Sequence, residues 1–83
     1  MRNTIIMIFN HKKNKQSYDI EVPLNITANE LIYGLNKGLH LGLDLERVEE
    51  CYLCTEAPVA LLRGNVQLEE FGLRNGTTIN FER

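Results

Sequence analysis

At 83 residues with 43% apolar content, the chain can bury one hydrophobic core and not two. Its formal charge of −2 and pI near 5.6 supply neither the basic excess that neutralises nucleic-acid phosphates nor an acidic tail. The apolar run Ile5-Ile6-Met7-Ile8-Phe9 is too short for a signal-peptide core, and nothing approaches the roughly 20 apolar residues of a membrane-spanning helix. These features predict one cytoplasmic domain spanning 1–83, with no nucleic-acid partner and no membrane insertion.

The first predicted element is a hairpin. Thr4 to Phe9 is β-branched and aromatic, Asn10 to Gln16 is polar and turn-like, and Ser17 to Val22 alternates polar with apolar at period two. Tyr18, Ile20 and Val22 are predicted to face the core. The first strand does not alternate: whichever of the sets Ile5, Met7, Phe9 or Ile6, Ile8 points inward, the other remains on the outer face as apolar surface to be covered or used.

Pro23 cannot donate to a sheet ladder and closes the second strand. Thr27-Ala28-Asn29-Glu30 is a capping box, in which threonine and glutamate side chains bond each other's backbone amides. The helix that follows carries Leu31, Ile32, Leu35 and Leu39 on one stripe. Gly34 and Gly38 each weaken a helix interior by up to about 1 kcal/mol relative to alanine, so packing on the sheet must hold it. Gly34, Gly38 and Gly42 are spaced four apart, which predicts close approach of helix to sheet and termination near Gly42. Residues 42–50 read as an irregular, charged connection.

Two further strands are predicted, Cys51 to Thr55 and Val59 to Arg63, joined by a turn at Glu56-Ala57-Pro58. After the turn Gly64-Asn65, the segment from Leu68 to Leu73 reads as a single helical or 3₁₀ turn ending at Gly72. The last strand, Thr77 to Glu82, enters through Asn75-Gly76 and directs Ile79 and Phe81 inward.

The order is that of an α+β, β-grasp (ubiquitin-like) fold: a mixed four- to five-stranded sheet on one α-helix plus a short 3₁₀ turn, the last strand lying beside the first. Leu68-Glu69-Glu70-Phe71-Gly72-Leu73-Arg74-Asn75-Gly76-Thr77-Thr78-Ile79 resembles the "L-x-acidic-x-G-aliphatic-x-N-G" signature near the C-terminus of ubiquitin-like proteins. With the short chain, it resembles the YukD/EsaB family, small bacterial ubiquitin-like proteins associated with type VII secretion. The resemblance implies a non-catalytic, accessory or regulatory role exerted through protein contacts. Each of these residues also has a structural reason: Leu68 and Leu73 bury, while Gly72 and Asn75-Gly76 supply unusual backbone angles.

No enzyme constellation emerges. Gly64 is followed by Asn65-Val66-Gln67 rather than by the lysine and serine of a P-loop, and the lone serine, Ser17, lies in a predicted strand. His40 reads as a helix-end residue, and Glu69-Glu70 as solvated neighbours that point apart. Cys51 and Cys54 imitate a redox or zinc spacing. A redox pair needs its first thiol at a helix N-terminus, however, and zinc needs two further ligands beyond the scattered His11 and His40. Strand cysteines in a reducing compartment, with no metal and no cofactor, are the expectation.

Two candidate interaction surfaces follow. One is the outer sheet face, with Ile6 and Ile8 flanked by Thr78 and Asn80. The other is the basic hairpin tip, His11, Lys12, Lys13 and Lys15, which suits an acidic partner patch or, weakly, an anionic membrane surface, and which also has the look of an ordinary solvated tip. The expected partner is a protein of a secretion machine, and the expected state a monomer or weak homodimer. The alternative is a ubiquitin-like modifier or sulfur carrier. The ending Ile79-Asn80-Phe81-Glu82-Arg83 has no terminal glycine pair, which argues against conjugation if Arg83 is the natural end. A zinc protein built on Cys51 and Cys54 would instead show bound metal on elemental analysis.

Overall fold

A computed structural model describes residues 4–81, Val48 by its backbone only. Strand β1 (Thr4–His11) and strand β2 (Gln16–Pro23) form the hairpin; helix α1 (Ala28–Leu39) follows, then a 3₁₀ turn at Val48–Glu50. Strands β3 (Leu53–Glu56) and β4 (Ala60–Leu62), a second 3₁₀ turn at Leu68–Phe71 and strand β5 (Thr78–Phe81) complete the order. One five-stranded sheet results, in the order β2-β1-β5-β3-β4. Its central pair, β1 with β5, is parallel, and the other pairs are antiparallel. This is the β-grasp arrangement predicted from the element order.

The core lies between the sheet and α1. From β1 come Ile5, Met7 and Phe9, from β5 Ile79 and Phe81, and from α1 Ala28, Leu31, Ile32 and Leu35. Tyr18, Ile20 and Leu39 pack against it, half-buried. Burying each large apolar side chain contributes about 1.5–3 kcal/mol, which is what holds a helix containing two interior glycines.

The capping box forms as predicted: the Glu30 amide donates to Thr27 Oγ1 at 3.1 Å, and the Thr27 amide donates to Glu30 Oε1 at 3.0 Å. Pro23 is the last residue of β2, and Gly72, with φ of 72°, ends the second 3₁₀ turn.

Several expectations need correction. The helix ends at Leu39, capped by His40 in the left-handed region (φ 53°), rather than near Gly42. The Asn36 side chain brackets Leu43, accepting from its amide at 2.9 Å and donating to its carbonyl at 3.2 Å, and so turns the chain away before another helical turn can form. Gly34 and Gly38 do not approach the sheet: a Cβ at either position would meet nothing within 4 Å. Cys51 precedes β3 rather than lying in it, with its Sγ 3.4 Å from the Arg47 carbonyl oxygen. Strand β4 is shorter than Val59 to Arg63, since the turn after β3 extends through Val59. At Asn75-Gly76 only the glycine has positive φ (90°); Asn75 instead accepts the Ile6 amide on its Oδ1 at 2.8 Å. Glu82, the expected end of the last strand, lies outside the described residues.

Candidate interaction surfaces

The sheet's outer face is built by register. Because strand side chains alternate, the inward set of β1 forces Thr4, Ile6, Ile8 and Asn10 outward. Cross-strand pairing then sets them in rows. Ile6 lies opposite Glu21; Ile8 lies between Asp19 and Thr78, and Thr78 continues to Glu56; Asn10 lies between Ser17 and Asn80, and Asn80 continues to Cys54 and Leu61. The sequence-predicted residues Ile6, Ile8, Thr78 and Asn80 therefore do share one surface.

That surface is apolar at two ends and polar between. Ile6 is 45% exposed and Ile8 half-buried at the β1 end; Leu61, also 45% exposed, and Val59, 86% exposed, form the end beside β3 and β4. The middle is a ladder in which Asn10 Nδ2 donates to Asn80 Oδ1 at 3.4 Å and Ser17 Oγ donates to Asn10 Oδ1 at 3.4 Å. A shallow depression beside Val59 is lined by Tyr52, Cys54, Glu56 and Asn80. The contribution of Val59, Leu61 and Cys54 escapes sequence reading, because it depends on the β3–β4 register rather than on a local pattern.

The hairpin tip is basic but smaller than predicted. Lys12, Lys13 and Lys15 are exposed in the turn, which the Lys15 amide closes on the Lys12 carbonyl at 3.2 Å. His11 does not belong to it. It is the last residue of β1, 6% exposed, with its ring edge-on to Phe81 at a centroid separation of 5.2 Å. Pairing of His11 with Phe81 across the parallel β1–β5 ladder draws the imidazole under the sheet. Its Nδ1 is buried with no hydrogen-bond partner among the described residues.

Among the described residues no three His, Cys, Asp or Glu side chains cluster as a metal site. Both cysteines are free thiols; Cys54 is exposed on the outer face and Cys51 is partly buried beside α1. No described helix is long and apolar enough to cross a membrane. What the arrangement offers chemically is a set of apolar and polar side chains held in rows on one sheet face.

No protein-family model matches the chain. Nor does any curated protein match it in sequence. Solved structures do match in fold. The C-terminal ubiquitin-like domain of mouse tubulin-specific chaperone e aligns with a TM-score of 0.71 at 13% identity, covering 95% of this chain and 84% of that one. A de novo design based on ubiquitin aligns with a TM-score of 0.65 at 17% identity, covering 94% of this chain and 85% of the design. The fold is ubiquitin-like.

Proposed function

We propose that this ubiquitin-like chain is a non-catalytic protein-binding module that acts in the cytoplasm as an accessory or regulatory component of a bacterial type VII secretion system. The observation that carries the binding role is the pair of apolar ends on the outer face, exposed Ile6 with half-buried Ile8 and exposed Val59 with Leu61. Apolar positions fixed on a rigid sheet and rimmed by polar side chains fit a protein partner, since their geometry is set before the partner arrives. The secretion role is supported by the resemblance of Leu68 through Ile79 to the YukD/EsaB signature.

The test is a tagged pull-down from the cytoplasm and membrane fraction of the source organism, comparing wild type with Ile6→Lys/Ile8→Lys. Recovery of a secretion-machine component that the double substitution abolishes supports the proposal. Covalent ladders of the chain on other proteins would overturn it in favour of a modifier.

A further inference from the structure

Strand β2 is an edge of the sheet, and its free side is assigned by the parity of β1. The Ile8 and Lys12 amides donate toward β5, to the carbonyls of Thr77 at 3.0 Å and Phe81 at 2.9 Å, and the Ile6 carbonyl accepts from Gly76 at 2.9 Å. Even-numbered residues of β1 thus turn their backbone to β5, and odd-numbered ones turn theirs to β2. In the antiparallel register these meet Gln16, Tyr18, Ile20 and Val22. Ser17, Asp19 and Glu21 are left with N–H and C=O groups directed to the open edge, where no described strand follows.

Beneath this edge runs a groove of about 290 Å³ between β2 and α1. Its apolar lining includes Ile20, Val22, Leu31 and Leu35, and Gly34 forms part of the helix wall. Gly34 is an exposed helix-interior glycine whose Cβ would meet nothing within 4 Å, so no internal packing requires it. Its effect is to keep the groove open. On the outer side, Asp19 and Glu21 project beside the free backbone groups, and Glu30 lines the groove from α1.

We propose that the β2 edge accepts an extended peptide segment of a partner protein as a sixth strand, with apolar residues alternating with lysine or arginine. A strand added beside β2 places every second side chain inward, into the groove, and the others outward beside Asp19 and Glu21. The inward positions call for aliphatic side chains and the outward ones for cations. A second copy of this chain is disfavoured as occupant, because pairing β2 with itself brings Asp19 and Glu21 against their own kind. The inference rests on the binding-module reading but not on the outer-face apolar ends, so Val59→Lys, at the end of that face farthest from β2, separates the two.

The probe is a capped Lys-Val-Lys-Val-Lys-Val-Lys peptide titrated into the ¹⁵N-labelled chain. Expected are saturable shifts and slowed hydrogen exchange at the amides of Ser17, Asp19 and Glu21, with weakening of at least about ten-fold when glutamate replaces lysine in the peptide. Gly34→Leu fills the groove with a better helix former; it should keep or raise the melting temperature while weakening the peptide by about ten-fold or more. Val59→Lys should leave peptide binding unchanged. The proposal is overturned by shifts absent from the β2 edge, or by wild-type binding in Gly34→Leu. Edge amides that shift with the chain's own concentration, without peptide, would overturn it by assigning the edge to a second copy.

Discussion

The two faces of β1 carry nearly the same residue types in opposite circumstances. Ile5, Met7 and Phe9 are buried under α1, while Ile6 is 45% exposed on the face that no described element covers. Hydrophobicity therefore does not decide burial here; parity does, because one strand must offer alternate side chains to each side of the sheet. The inner face shows what stability demands of this sequence. The outer face shows where it departs from that demand.

The largest effect should come from the inner face. Phe9 is fully buried and lies 6.0 Å from Phe81 between ring centroids, so Phe9→Ala removes transfer energy and leaves a cavity in a small core. A loss of about 3–5 kcal/mol is expected, read as the shift in urea midpoint at constant slope. A cost near zero would mean that the inner and outer faces are not distinguished by packing at all.

Thr77 sharpens the comparison by testing a polar group on the buried side. It is fully buried, its Oγ1 donates to the Ala57 carbonyl at 2.8 Å, and it accepts from the Arg74 amide at 3.1 Å. Thr77→Val keeps the shape but strands the Ala57 carbonyl and the Arg74 amide. About 1–3 kcal/mol should be lost, measured by the same denaturation.

What sequence could say about these faces followed the range of the signal. Period-two alternation in β2, the capping box at Thr27, and the turn glycine Gly72 are local patterns, and each appears where it was read. By sequence alone His11 reads as part of the basic hairpin tip, because its neighbours in the chain are lysines. Its burial is decided by Phe81, which only the parallel β1–β5 pairing brings alongside. Val59 and Leu61 were hidden for the same reason, since their outward direction depends on how many residues the β3–β4 turn consumes. The glycine spacing misled: spacing alone cannot distinguish a glycine pressed against backbone from one facing open space, and nothing in the structure explains Gly38.

His11 is the counter-case to Thr77, a buried polar group whose Nδ1 has no partner among the described residues. His11→Phe retains the edge-on contact with Phe81 while removing a nitrogen that water would otherwise solvate. A gain of about 1 kcal/mol is expected as a rise in the urea midpoint. A loss would show that the nitrogen is satisfied in solution, and that the inner face tolerates polarity there for a reason.

The smallest effect on stability should come from Ile6, and that smallness is its significance. Ile6→Lys places a cation directly opposite Glu21 in the antiparallel pair, an arrangement worth roughly 0.2–1 kcal/mol, against the modest burial that a half-exposed isoleucine gives up. The two contributions nearly cancel, so the urea midpoint should move by less than about 0.5 kcal/mol equivalent. A loss above about 2 kcal/mol, comparable to that of a buried side chain, would place Ile6 in the core and remove the argument that its exposure serves recognition. Near-neutrality, combined with loss of the partner in the pull-down, is the signature of a side chain kept apolar for something outside the fold.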